Sequence, residues 1–260
     1  MSIIDSFVNA YIDAELIREN KERDAKHTSS GKLSASMLYQ PVRFQVLKTL
    51  GAPRKEFDAY TLAKFKRGRD VEEWYVEQLR GAGVLVDPSR YDNDKLKVDT
   101  LHSQPFVIYR GCIGYIDSVI DTDKMQAKKG IIPNEIKSVT NAKMRRVKKT
   151  GIDWHYKIQA CLYALAMGTE YYAVTIISSE DLRSDMQIFR VSEMKRDVDH
   201  AISEYMKAMK NYKRDRSLPK FEANEHVKWT GNLKYAMYDI MWVENSNNTT
   251  LKMLDKLGTK

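Results

Sequence analysis

The run Ile131-Ile132-Pro133-Asn134-Glu135-Ile136-Lys137-Ser138-Val139 decides how this chain is read. It is rich in β-branched residues and bounded by turn residues, which predicts a strand. Side chains alternate across a strand, so Glu135 and Lys137 share one face while Ile132 and Ile136 share the other. A carboxylate and an ammonium then stand about 6.6 Å apart along one surface. The stretch before it, Cys112-Ile113-Gly114-Tyr115-Ile116-Asp117-Ser118-Val119-Ile120-Asp121, belongs to a strand expected from Phe106 to Asp121. It sets Asp117 among apolar neighbours at mid-strand, where aspartate is disfavoured and needs a reason. Taken singly, each feature is more often an edge-strand acid paired with a lysine than a site.

Short β-rich runs at Val84 to Val86 and Leu96 to Val98 join these two in what reads as one meandering sheet. Upstream lie three helical stretches. The first is amphipathic over residues 3–16, the second runs from Ser34 as N-cap to about Leu50, and the third from about Ala59 to Arg80. Downstream come a helix from about Asp153 to Met167, strands near Tyr171 to Ser178 and Met186 to Val191, and a helix from Ser192 to about Tyr212. Trp229, Tyr235, Tyr238 and Trp242 suggest a packed extension in the last forty residues. The expected fold class is mixed α/β, a central mostly antiparallel or mixed sheet flanked by helices. One domain over 1–260 divides into an N-terminal helical lobe (1–58), a core (59–213) and a C-terminal extension (214–260).

With 260 residues and 43% hydrophobic content the chain can fill a proper core, which rules out intrinsic disorder. Two cysteines, Cys112 and Cys161, and five scattered histidines fall in no zinc-like spacing. Nucleotide-binding glycine loops are absent, so no bound nucleotide is expected. No apolar stretch approaches the ~20 residues of a membrane span, and the N-terminus lacks the pattern of an ordinary signal peptide. A reducing, cytoplasmic location follows, or the host cytoplasm if the chain is phage-encoded. The net charge of +8 is concentrated between Lys124 and Lys149, where nine basic residues face one acidic residue. The rest of the chain is neutral. A basic patch on a neutral body suits an anionic polymer, although a solvated loop would look the same on charge alone.

The third helix holds a second anomaly. Steps of 100° gather Phe65, Gly68, Glu72, Tyr75, Val76 and Leu79 into an arc of roughly 100°, so Glu72 lies inside an apolar stripe. A buried carboxylate is costly unless paired or bound to metal. Glu72, Asp117 and Glu135 together are hard oxygen ligands suited to Mg²⁺ or Mn²⁺, and Lys137 beside them could orient or deprotonate a water. Phosphodiester hydrolysis needs those parts.

Gly114-Tyr115-Ile116-Asp117, Glu135-Ile136-Lys137 and Gln159-Ala160-Cys161-Leu162-Tyr163 resemble the GxxD, ExK and QxxxY series of the PD-(D/E)XK nuclease superfamily, in its RecB-like, lambda-exonuclease-like branch. Gly68-Arg69-Asp70-Val71-Glu72 resembles the upstream helix motif, and Leu33 to Arg43 the opening helix. The resemblance covers about residues 33–170 in the family's order. It implies a restriction-endonuclease-like core in which Glu72, Asp117, Glu135 and the carbonyl of Ile136 hold the metal. Lys137 would serve the attacking water, and Gln159 and Tyr163 would face DNA. Glu72 stands where RecB-like enzymes often carry His, which is closer to lambda-type exonucleases. Ile116 replaces the proline of the superfamily's name. The cysteines of iron-sulfur members are missing, so no cluster is expected.

Read from residues alone, Gln159 and Tyr163 at i and i+4 could equally be a glutamine capped by a core tyrosine. Lys143, Arg145, Arg146, Lys148 and Lys149 end just before their helix and are expected to contact phosphates. The expected activity is a Mg²⁺- or Mn²⁺-dependent deoxyribonuclease, an exonuclease acting on DNA ends or single strands in recombination, repair or phage DNA processing. A homo-oligomer or a recombination partner protein is compatible with it. The alternatives are a structure-selective, resolvase-like endonuclease and a non-catalytic nucleic-acid-binding module.

Overall fold

A computed structural model describes residues 3–26, 31–51, 56–87, 96–98 and 104–220. The aromatic residues expected to form a packed C-terminal extension lie outside this range. The fold class is mixed α/β. Its central sheet has four strands in the order β4 (Ser118–Asp121), β5 (Ile131–Val139), β6 (Tyr171–Ser178) and β7 (Ser184–Arg190). β4 and β5 are antiparallel, β5 and β6 parallel, and β6 and β7 antiparallel. A parallel pair needs a crossover, supplied by α4 (Asn141–Thr150) and α5 (Trp154–Met167).

A second, three-stranded antiparallel sheet is formed by β1 (Leu96–Val98), β2 (Pro105–Tyr109) and β3 (Cys112–Tyr115). The single meander expected from sequence is therefore two sheets, and the strand expected from Phe106 to Asp121 is three. The break between sheets falls at Ile116 and Asp117. There Ile116 N–H is taken by the Pro105 carbonyl, and the Asp117 carboxylate accepts a 2.8 Å hydrogen bond from Ile136 N–H. A short acidic side chain that bonds to backbone competes with the strand ladder, and here it ends one. Asp117 is thus a sheet-switching residue rather than a mid-strand one.

β5 is buried along most of its length, as a central strand with covered faces should be. On one side Ile136 packs with Val71, Tyr75 and Val76 of α3 (Ala59–Gly81), while Ile132 shares a cluster with Leu79. On the other lies α5, almost wholly apolar and closed by Gly168 at φ +76°. α3 begins at Asp58, whose side chain accepts from Thr61 N–H at 2.7 Å. A buried polar chain pins the register across three strands. Asn134 Nδ2 donates to Ser118 Oγ at 3.0 Å and Thr175 Oγ1 donates to Asn134 Oδ1 at 2.8 Å. A slip of one residue would turn Glu135 and Lys137 to the opposite face.

The helix expected from Ser34 to Leu50 is split at Pro41 into a 3₁₀ turn (Ala35–Met37) and α2 (Val42–Thr49). Ser34 makes no cap hydrogen bond and contacts Ser36 Oγ instead. Proline accounts for the break, because it cannot donate within a helix and it biases the preceding residue away from helical angles. α1 (Ile3–Lys26) packs on α3, and α6 (Lys195–Asp215) packs on α2 and α5. Among the described residues no helix is long and apolar enough to cross a membrane.

Candidate active site

The site forms where β4 parts from β5. Their pairing ends at Ser118 with Asn134, and one step further Asp117 reaches Ile136 N–H across the opening fork. In a strand, the N–H and C=O of one residue point to the same edge. The Ile136 carbonyl therefore faces the same fork. Glu135 and Lys137 project from β5 on the α5 side, as alternation predicts.

Glu135 is fully buried. Lys137 Nζ forms an ion pair with its Oε1 and lies 3.9 Å from Asp117 Oδ2. Burial, followed by the charge of Asp117, pushes the Glu135 pKa up to about 8, against the pull of Lys137 and the Tyr163 hydroxyl. Glu72, half-buried on α3, rises to about 7, again from burial and then from Asp117, with Lys137 and Arg69 opposing. For Lys137, burial disfavours the charge, but Glu135, Asp117 and Glu72 outweigh it and hold the ammonium above the ordinary lysine range. All four predicted catalytic residues therefore act on one another from a helix, a sheet switch and a strand.

Whether a divalent cation suits this set turns on Glu135. Neither of its oxygens accepts a hydrogen bond of regular geometry, and its buried charge is offset by the Lys137 ion pair. As the side chains stand, no three acidic, histidine or cysteine side chains among the described residues are gathered closely enough to hold a metal ion. The Lys137 ammonium lies among the carboxylates instead. The donors nonetheless fit a hard cation in kind: three carboxylates beside a strand carbonyl.

Tyr163 does not face solvent. It is fully buried, its hydroxyl accepts from Gln159 Nε2 at 2.7 Å, and it stands by Glu135. This corrects the expectation that Tyr163 contacts DNA, because an apolar α5 carries it into the core. Gln159, half-buried one turn earlier, is held by that tyrosine. A Cβ on Gly114 would meet the Tyr163 ring at 2.5 and 2.7 Å, so the glycine of the first motif makes room for the tyrosine of the last.

The basic segment from residue 143 to 149 is the amphipathic helix α4 rather than a loop, with Met144 and Val147 buried. Its cations divide into two groups. Arg146 donates to both oxygens of Asp153 at 2.8 Å, and Lys143 lies 3.2 Å from Asp153 and bonds the Tyr156 hydroxyl at 2.6 Å. Arg145, Lys148 and Lys149 are exposed, and among the described residues none pairs with a carboxylate. Sequence reasoning missed this division. It also missed His155, enclosed by Tyr39 at 5.1 Å and Tyr156 at 3.9 Å between ring centroids. Asp153 just before an apolar helix was the available signal for the clamp. Nothing in the sequence pointed to Tyr39.

No protein-family model matches the chain, and neither does any curated protein. Among solved structures it is similar to an alkaline exonuclease, LHK-Exo, from Laribacter hongkongensis, at 13% identity and a TM-score of 0.45, covering 72% of this chain and 93% of that one. The same exonuclease in complex with dAMP gives 14% identity and 0.44, over 71% and 92%. The protein SSO0001 gives 15% and 0.41, over 78% and 87%.

Proposed function

We propose that the chain is a Mg²⁺- or Mn²⁺-dependent deoxyribonuclease that hydrolyses phosphodiester bonds from DNA ends. The observation that carries this reading is the ion pair of buried Glu135 with half-buried Lys137 at the strand fork, with Asp117 and Glu72 acting on the same ammonium. A structural ion pair needs one carboxylate. Here two, Glu135 and Asp117, lie within 4 Å of one lysine and the charge of Glu72 also acts on it, and such crowding is more often found where chemistry is done.

Glu72, Asp117, Glu135 and the Ile136 carbonyl would hold the cation, which supplies positive charge for the phosphate oxygens and acidifies water. The chain's own residues do the rest. Lys137 would present its ammonium to the attacking water and fix its position against the phosphorus. Asp117 is held in place by Ile136 N–H, so the fork arrives pre-shaped. Tyr163 and Gln159 support Glu135 from behind, and Arg145, Lys148 and Lys149 hold flanking phosphates.

End-labelled linear DNA and covalently closed DNA, each incubated with Mg²⁺ and with EDTA, test the reading. Release of label from linear DNA that EDTA abolishes is the expected result. Cutting of closed circles would mark a structure-selective endonuclease. Binding without cleavage would mark a non-catalytic module.

A further inference from the structure

Beyond Glu72 and Asp117 the site opens into a cleft of about 750 Å³, within the range that takes a drug-sized ligand. It follows α3 on one side and the start of β4 on the other, and no residue of α4 or α5 lines it. Its charge is opposite to that of α4. Apart from Glu72 and Asp117, which the cation would take, the described lining carries three carboxylates, Asp70, Glu73 and Glu77, against Arg69 and Arg80. Arg80 is already paired with Glu77. A continuous nucleic-acid strand drawn through this cleft would set its phosphates against the exposed Asp70 and Glu73, where a backbone that binds through cations finds none unpaired but Arg69. A nucleoside carries no charge and meets no such barrier.

The remaining wall suits a base. Val76, Leu85 and Val119 line it, and so does Trp74, a large aromatic left 37% exposed beside an acidic helix face. We propose that this cleft receives the terminal nucleoside of the strand being cut, with the Trp74 indole as the surface on which its base stacks. The proposal rests on the nuclease reading and deepens it. Flanking phosphates lie along α4, the scissile phosphate at the fork, and the cleft beyond it takes a base and sugar while its acidic wall offers no hospitable path for more backbone. The acidic wall thereby makes attack end-directed.

Two measurements on the full chain test it apart from the nuclease reading. The first is calorimetric binding of deoxyadenosine and deoxythymidine monophosphates, in Mg²⁺, to the wild type, Trp74→Ala and Trp74→Phe. Stacking of a base on an aromatic is worth ~1–3 kcal/mol, about 5- to 150-fold. The purine nucleotide should bind more tightly than the pyrimidine, Trp74→Ala should weaken it about tenfold or more, and Trp74→Phe should stay within about threefold of wild type. Because Trp74 is partly exposed, Trp74→Ala should fold, and Trp74→Phe guards the comparison if it does not. The second measurement is product length from linear DNA, expected to be mononucleotides, with closed DNA left intact. Equal mononucleotide binding by Trp74→Ala and wild type, no binding by wild type, or closed DNA cut as fast as linear overturns the nucleoside slot while the nuclease reading stands. Absence of any EDTA-sensitive cleavage by wild type overturns both.

Discussion

Lys137 sits where two explanations of the site part company. If its ammonium acts on the nucleophilic water in the transition state, Lys137→Ala should lower turnover by a factor of about 100 or more while DNA affinity changes little. Lys137→Arg should not restore it, since a planar fork places its donors differently from a compact ammonium. Near-wild-type turnover with lost DNA binding would make Lys137 a phosphate clamp. Gly114 and Tyr163 make a steric prediction. A methyl group at Gly114 would lie 2.5 Å from a ring carbon of a fully buried tyrosine, so Gly114→Ala should cost about 1–3 kcal/mol in urea unfolding. In a Tyr163→Ala background the added cost should shrink. His155 gives a pH dependence. Burial lowers its pKa to about 4, helped by Lys143, Lys137 and Arg146 and opposed by Asp153, while Tyr39 and Tyr156 enclose it. The unfolded chain, with an imidazole pKa of ~6.5, takes up a proton that the fold refuses. Stability present above about pH 6.5 is therefore lost as pH falls toward 4, by roughly 2 kcal/mol once partial exposure is allowed for. Urea midpoints at pH 7 and pH 5 should show that slope, and His155→Gln should flatten it.

At the scale of elements, α4 does two jobs with one composition. Arg146 and Lys143 brace Asp153 at the start of α5, leaving Arg145, Lys148 and Lys149 exposed as the cations proposed to hold DNA phosphates. Neutralising those three should reduce the slope of log binding against log salt by about 2 to 3, with little effect on stability. Asp153→Ala should do the reverse, loosening the α4–α5 junction while leaving the salt slope nearly intact. An unchanged slope in the triple variant would make α4 an ordinary solvated helix. The sequence pattern showed the charge and the apolar Met144 and Val147 in plain view, yet the division of labour depended on Asp153 lying within reach, which only the packing of two helices determines.

For the whole molecule, like charges crowded at the fork oppose folding until something neutralises them. A divalent cation bound only by the folded chain should raise its melting temperature in proportion to the logarithm of its concentration. EDTA should reverse the rise, and Asp117→Asn or Glu135→Gln should abolish it together with turnover. Melting temperatures unmoved by Mn²⁺ in the wild type would mean that Lys137 neutralises the carboxylates by itself. What the sequence alone determined was local. The β5 pattern put Glu135 and Lys137 on one face, helix spacing put Glu72 near the apolar stripe of α3, and the turn residues bounded most elements within a few positions, because these depend on neighbours along the chain. What only the tertiary structure decided was non-local: that Asp117 ends one sheet and opens another, that β5 and β6 run parallel, and that Tyr163 is buried against Gly114. It also decided that the acidic face of α3 borders a cleft. Each requires contacts between residues far apart in the chain, and backbone periodicity carries no information about which distant partner a face will meet.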